Sequence, residues 1–432
     1  MNQRIFHSSF CRSAASLLSF VCCLVVLGGD TLMAWQSTSD VDWPQWRGAN
    51  QDGISQETGL LKSWPEDGPK KLWTMNDAGD GYAGFAIVGD SLFTLGANEN
   101  NEFALCLDAN TGAIRWRVDL DERFVNRWGD GPRNTPTVDD GFAYFLSAKG
   151  TVCCIDVANG TKKWTRSLVD DFGGSIPQWG YSESVLVDGD KVVCTPGGMA
   201  GAMVALNKEN GEFIWQSRTF TDPAHYSSIV IAESGGQKHY VQLVEKAVVG
   251  IAPDDGRVLW RQEWSGRVAV IPSPIFHDNS IYITSGYGAG SAKFDISDLD
   301  SVKKQWFSKS MKNHHGGVIL LDSHYFGYSD GAGWICQDAN TGDMVWNEKR
   351  EFGKGAIGYA DGRFYLVEEK SGKVALIAAS TEGWQEHGRF TLEPQSQNRK
   401  PAGAIWVHPV ISNGKLYLRD QEIIYCFDVS EN

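Results

Sequence analysis

A short phrase closing on tryptophan recurs along the chain, and it constrains the fold more than any other feature. The clearest copies are Asp108-Ala109-Asn110-Thr111-Gly112-Ala113-Ile114-Arg115-Trp116 and Asp338-Ala339-Asn340-Thr341-Gly342-Asp343-Met344-Val345-Trp346. Asp156…Gly160…Trp164, Asn207…Gly211…Trp215 and Asp255-Gly256…Trp260 keep the spacing with changed letters. Trp73 and Trp306 end weaker copies, and Phe390 stands where an eighth falls. Successive tryptophans lie 40 to 51 residues apart. A period of this size marks a repeat architecture.

Asp/Asn-x-x-Thr-Gly is a turn: the acidic or amide side chain bonds the backbone ahead, and glycine supplies a positive φ. An apolar strand precedes each turn (Phe103–Leu107, Gly333–Cys336), and a short strand ending in tryptophan follows it. Each phrase therefore predicts a β-hairpin. A second hairpin stands before it, as in 137–144, 186–193 and 409–417. Two hairpins per period make a four-stranded antiparallel sheet, which is one propeller blade.

Inner hairpins begin near Gly84, Thr135, Ser184, Ser228, Ser273, Gly317, Ala356 and Pro409, which gives eight blades. The last blade runs out of chain after a third strand, Ile423–Asp428. Its fourth is expected from Lys70–Trp73, which closes the ring and removes an exposed edge. The expected organisation is a signal peptide over 1–34, an extended arm over 35–66 and an all-β, eight-bladed propeller over 67–432. Trp43, Trp46 and Trp64 in the arm read as packing staples and not as a binding site.

Arg4 and Arg12 before the apolar run 14–29, with Leu32-Met33-Ala34 after it, read as an export signal cleaved near Ala34. The run is short for a membrane span, though an uncleaved anchor is the alternative. No later segment reads as a span. Removing Arg4, Arg12 and Asp30 takes the net charge from −14 to −15. That acidity argues against nucleic acid and anionic membrane as partners. The expected protein is periplasmic or extracellular and monomeric. Export permits disulfides, yet Cys106, Cys154, Cys336 and Cys426 share one register, two residues before the turn residue. Ala205 and Gly250 fill that register elsewhere, so the slot demands a small residue and the cysteines read as buried thiols.

The phrase resembles the pyrroloquinoline-quinone (PQQ) repeat, shared by quinoprotein alcohol dehydrogenases and by a non-catalytic outer-membrane-assembly lipoprotein. The resemblance covers about residues 60–430. Trp43-Pro44-Gln45-Trp46-Arg47-Gly48, Trp128-Gly129-Asp130-Gly131-Pro132-Arg133, Trp179-Gly180-Tyr181-Ser182-Glu183 and Asn313-His314-His315-Gly316-Gly317 resemble an exported subgroup sometimes labelled polyvinyl-alcohol-dehydrogenase-like. The resemblance implies that Trp73, Trp116, Trp164, Trp215, Trp260, Trp306 and Trp346 dock against neighbouring blades. The catalytic relatives carry a calcium set of Glu, Asn and Asp, a catalytic Asp and a vicinal disulfide beside the quinone. Here the Cys153-Cys154 pair falls in an ordinary third strand, and no Cys-x-x-Cys-His haem motif occurs.

In a propeller the loops entering the first strand and leaving the second share one face and ring the channel mouth. Entry loops bring Tyr82, Arg133, Asn134, Tyr181, Glu183, His225, Tyr226, His314, His315, Lys354, Trp406 and His408 there. Exits bring Tyr287, Tyr328, Asp330, Arg419 and Asp420. Such a ring suits an anionic, polyol or quinone ligand, and equally a water-filled channel. Adjacent His314 and His315 are expected to face opposite ways, so no metal site is assigned. Glu183, Asn134 and Asp330 could mimic a calcium set, and Asp420 beside Arg419 a general base. These leave three functional expectations. The first is a non-catalytic scaffold binding a small ligand or protein partner. The second is a dehydrogenase with Asp330, Asp420 or Glu183 as catalytic candidates and PQQ and Ca²⁺ as cofactors. The third is a cell-envelope assembly factor.

Overall fold

A computed structural model describes residues 41–431. The signal segment 1–34 and its cleavage near Ala34 lie outside the described residues. No helix occurs among the described residues, and none is long and apolar enough to cross a membrane.

Eight antiparallel blades follow in order around the ring. Blade 1 runs from Ala86–Val88 to Ile114–Glu122, and blade 2 from Thr137–Asp139 to Lys162–Ser167. Blade 3 spans 186–216, blade 4 spans 230–263, blade 5 spans 275–308 and blade 6 spans 318–348. Blade 7 spans 355–391. Blade 8 combines Val410–Ser412, Lys415–Asp420 and Ile423–Asp428 with Lys70–Met75 as its outer strand. The register sets Trp73 opposite Cys426, so the two chain ends share one sheet as expected.

The repeated phrase joins neighbouring blades. Trp116 donates from Nε1 to the Val157 carbonyl of blade 2 at 2.9 Å, and Trp164 to Lys208 of blade 3 at 2.9 Å. Trp215 reaches Pro253 at 2.8 Å, Trp306 reaches Ala339 at 3.2 Å, Trp346 reaches Ser380 at 3.0 Å and Trp73 reaches Ala109 at 3.2 Å. The acceptor is mostly the residue just after the turn Asp or its equivalent. The ring then lies on the turn glycine of the next blade: a Cβ on Gly112, whose φ is +73°, would stand 2.7 Å from Trp73. Trp260 packs into the cluster of blade 5 but keeps a buried Nε1 without a partner. The matching carbonyl there, Ile296, already accepts the Ser234 hydroxyl at 2.8 Å.

The small-residue register has a simple cause. Cys106 pairs with Trp116, Cys154 with Trp164, Ala205 with Trp215, Gly250 with Trp260 and Cys336 with Trp346. The slot lies directly opposite the indole on the same blade, beside a bulge. All six described cysteines are free and buried. Burial raises the Cys154 thiol to about 12.

Phe390 requires a correction. Blade 7 has a longer third turn, and its register puts Gly388, not Phe390, opposite Leu376 at the tryptophan position. Phe390 lies two residues on, one pleat along the same face, against Phe427 of blade 8 at 4.8 Å. The gap over Gly388 is filled by Trp64 of the arm, 5.4 Å from Phe390 and 5.8 Å from Tyr365.

The channel is not the open, water-filled tube that the blade number implies. The arm enters it, rises to Trp46 and returns. Trp43 exchanges backbone bonds with Ile87 of blade 1, and Pro44 accepts from Val138 of blade 2. Trp46 Nε1 donates to Ser273 of blade 5 at 3.1 Å, and Gln51 to Ile229 of blade 4 at 3.2 Å. Ile54–Ser55 adds a parallel strand inside blade 7, beside Tyr359 and Ala360. Arg47 is buried and bonds the Gln51, Asp52 and Val318 carbonyls at 3.1, 2.6 and 2.6 Å. Burial lowers its pKa to about 10 against the pull of Asp52. A buried guanidinium on three carbonyls locks the plug in place.

Candidate functional site: an aromatic cup above the plug

With the channel stopped from below, its mouth becomes a cup of about 240 Å³. Trp46 forms the floor, and Trp128, Trp179, Trp406, Tyr82, Tyr226 and Tyr287 line the wall. Trp406 lies 4.8 Å from Tyr82, and Trp179 lies 5.5 Å from Tyr226. Tyr82 donates to the Trp128 carbonyl at 2.7 Å. That approach needs glycine next door: a Cβ on Gly129, at φ +146°, would stand 2.1 Å from the Tyr82 oxygen. Burial pushes the Tyr82 and Tyr226 hydroxyls up to about 12, so both are donors at neutral pH.

One side of the cup carries Arg133, from blade 2. Its Nη1 and Nη2 donate to the carbonyls of Gly131 and Gly129, each at 2.7 Å. The guanidinium stacks near Tyr82 and Phe124, at 5.4 and 5.3 Å from the ring centres. Burial lowers its pKa, opposed by more distant groups such as Tyr82 and Glu102.

The opposite side, from blade 6, carries His314 and His315, whose rings are 4.8 Å apart. Both line the cup. The expected opposite orientation fails because the pair sits in the loop before the strand Val318–Leu321, where alternation does not apply. Lys354 Nζ lies 2.9 Å from His314 Nδ1 and 2.8 Å from Asp330. Burial, then the nearby His315 and Lys354, lower His314 to about 2 and keep it neutral. Its proton therefore sits on Nε2. His315 Nε2 meets Glu369 Oε2 at 2.8 Å, and Trp406 Nε1 donates to the same oxygen at 3.1 Å. Burial raises Glu369, but the His315 and Lys354 contacts outweigh it and leave its pKa below the usual range. His315 Nδ1 is buried without a protein partner. His408 donates from Nε2 to the His315 carbonyl at 2.7 Å and lies 4.7 Å from Trp46. Burial holds it neutral, near 3.

Other expected site residues serve the wall instead. Asn134 is 1 % exposed and its amide meets the Leu146 carbonyl within blade 2. Tyr181 donates to the Pro196 carbonyl at 2.9 Å. Glu183 accepts from the Thr195 N–H, and burial raises it to about 7. Arg419 is 1 % exposed and bonds the carbonyls of Gln421, Ala83, Leu95 and Gly79 and the Thr94 hydroxyl. Asp420 accepts from Ser396 and pairs with Arg399 at 3.2 Å. In each, the side chain turns back to fasten strand ends, Arg419 and Asp420 from the end of the strand Lys415–Asp420 and the others from entry loops. His225 sits beside Tyr226 and pairs loosely with Glu245 at 3.9 Å, outside the cup lining.

These placements do not fit a calcium-bound quinone. Glu183, Asn134 and Asp330 belong to blades 3, 2 and 6 and are engaged by separate partners. Among the described residues no group of three or more His, Cys, Asp or Glu could hold a metal ion. Cys153 and Cys154 are free thiols within a strand. Sequence reasoning missed Trp46, Trp128 and Trp179 as cup walls, although the last two stand in entry loops. It also passed over Glu369, which leaves a second strand like Asp330.

Comparison with known proteins places the fold. The family model described as outer membrane protein assembly factor BamB matches residues 58–171 and 128–348. The outer membrane protein assembly factor BamB of Moranella endobia is 23 % identical over 256 residues, covering 54 % of this chain and 57 % of that protein. The 1-butanol dehydrogenase (quinone) of Thauera butanivorans is 27 % identical over 166 residues, covering 34 % of this chain and 24 % of that protein. The matches thus span about half or less of these relatives' own length. Among solved structures, BamB from Moraxella catarrhalis superposes with a TM-score of 0.60 at 15 % identity, covering 83 % of this chain and 99 % of that one. The quinohemoprotein alcohol dehydrogenase from Comamonas testosteroni gives 0.60 at 10 % identity, covering 91 % and 81 %. Eight tryptophan-docked blades and a family match over most of the propeller agree: the chain belongs to the PQQ-like β-propeller family described as outer membrane protein assembly factor BamB.

Proposed function

We propose that the chain is an exported, non-catalytic scaffold whose cup binds a small ring-shaped ligand. The observation that carries this reading is the plug: the arm turns an open channel into a blind aromatic cup with Trp46 as its floor. Concave, mostly apolar sites with a few fixed polar groups are the usual form of small-molecule sites. Cup tryptophans also report binding directly, through fluorescence.

The test is calorimetry on the purified protein with PQQ and Ca²⁺, and separately with small ring compounds. Binding of a small ring compound with tryptophan quenching that Trp46→Phe diminishes supports the scaffold. Micromolar binding of PQQ with Ca²⁺, weakened by Arg133→Ala, overturns it in favour of a quinoprotein dehydrogenase.

A second reading, an envelope-assembly partner, draws on the family match and on apolar side chains on outer strands. Phe213 is 58 %, Phe307 49 % and Val345 45 % exposed. Photocrosslinking from these positions in intact envelopes tests it. A specific adduct that forms with the cup ligand still bound favours this role.

A further inference from the structure

We propose that the ligand of the cup is a hydroxylated ring bearing one carboxylate, a sugar acid, with its carboxylate on Arg133 and a hydroxyl on the His314–His315 pair. This rests on the binding-scaffold reading and adds the ligand's chemistry.

Arg133 is the first observation. Arg47 and Arg419 are also buried, but each is spent on three or more backbone carbonyls within the packed wall. Arg133 instead lines the cavity and bonds two carbonyls, leaving N–H donors over. Among the described residues no carboxylate stands within ion-pair distance of it, whereas Arg123 in the same loop holds both Asp80 and Asp130. Its nearest carboxylates, Glu102 and Asp130, act on it only from a distance and are held by other partners, so a ligand carboxylate supplies the direct partner it lacks, with bidentate geometry.

The second observation lies across the mouth, since blades 2 and 6 stand opposite in a ring of eight. The Lys354 contact fixes His314 as a donor through Nε2–H. In the neutral imidazole the Glu369 contact takes the Nε2–H of His315 and leaves its unpartnered Nδ1 as an acceptor. A donor and an acceptor on adjacent rings match a hydroxyl, which both accepts and donates. A second carboxylate there would face the bare Nδ1 and the Glu369 charge.

Size and surface agree. About 240 Å³ lies below the range of roughly 300–1,000 Å³ for drug-sized ligands. The aromatic walls suit the faces of a sugar ring. With one spare cation, the cup meets one carboxylate and not several.

The experiment is calorimetry on the purified protein with D-glucuronate, D-glucose and benzoate. Glucuronate is expected to bind at least tenfold more tightly than glucose, which lacks the carboxylate, and than benzoate, which lacks hydroxyls. Added salt should narrow the first gap. Arg133→Gln should abolish the preference over glucose, and Arg133→Lys should restore part of it. Glu369→Gln should narrow the preference over benzoate, because an amide can donate to Nε2 and move the His315 proton to Nδ1. Nitrogen NMR of the free protein checks that tautomer without any ligand. A protonated Nδ1 in the wild type overturns the hydroxyl contact. Glucuronate binding no tighter than glucose overturns the sugar-acid assignment and leaves the scaffold standing if glucose or benzoate still binds. If none of the three binds, both readings fall.

Discussion

At the residue scale five of the docking tryptophans do two jobs at once. Trp73, Trp116, Trp164, Trp215 and Trp306 each cover the next blade's turn glycine and donate to a carbonyl beside it. Trp215→Ala should cost about 3–5 kcal/mol in urea unfolding, the range for truncating a large buried aromatic. Trp260 makes the packing without the hydrogen bond. Trp260→Ala should therefore cost about 1 kcal/mol less. Equal losses would mean that the indole bond contributes nothing. Buried glutamates give a second residue-scale prediction. Burial raises Glu102 to about 7, against the N–H groups of Ala148 and Phe124 that bond it. A raised carboxyl means the folded state holds the proton more tightly. Its contribution to stability is complete below the ordinary value of 4.5 and is lost as pH rises through about 7. His314 and His408, whose pKa values are lowered, act in the opposite sense and lose stability as pH falls below 6.5. Comparing Glu102→Gln with wild type isolates the glutamate. The variant should gain on wild type by of order 2–3 kcal/mol between pH 4.5 and 7.5. A constant difference across that window rules out the raised carboxyl.

At the scale of elements, the blades were legible because their signal is local. A turn glycine, a docking tryptophan and an apolar alternation lie within one period, so each copy could be read alone. The arm was not legible in the same way. It has no period, and its partners lie far off: Gln51 meets Ile229 across 178 positions, and Arg47 meets Val318 across 271. Nor could spacing show that Gly388 is left bare so that Trp64 can cover it. The site was half legible for a related reason. Loop position identified the ring of residues at the mouth, and Tyr82, Arg133, Tyr226, His314, His315, Trp406 and His408 do line the cup. Loop position does not say which way a side chain turns, and Asn134, Glu183 and Arg419 turn into the wall. The arm yields a prediction of its own. Trp46→Ala removes the floor between the cup and the small void beside Trp43 and Arg47. The fold should survive with a loss of about 3 kcal/mol, while ligand affinity drops more than tenfold. Unchanged affinity would mean that the floor is not part of the site.

At the scale of the whole molecule, stability depends on how the ring is closed. Blade 8 takes three strands from the C-terminus and one, Lys70–Met75, from the N-terminal side. The four antiparallel strands of every other blade are contiguous in sequence and could form before their neighbours. The closing strand cannot, because its partner Ile423–Asp428 comes last in the chain. Its Trp73 also joins blade 8 to the turn of blade 1, lying over Gly112 and bonding the Ala109 carbonyl. A defect there should act on the whole ring instead of fraying one edge. Met75→Pro removes a ladder donor opposite Ile424 and should cost about 3 kcal/mol or more. The same change at Arg166, in the outer strand of blade 2, removes an equivalent donor opposite Val152. That strand stays tethered to its blade by a tight turn, so its loss can be local. Hydrogen exchange separates the two cases. Arg166→Pro should raise exchange mainly in blade 2 and its neighbours. Met75→Pro should raise it in the inner strands of all eight blades together. If Met75→Pro loosens only blade 8, the closing strand is a local patch of the ring.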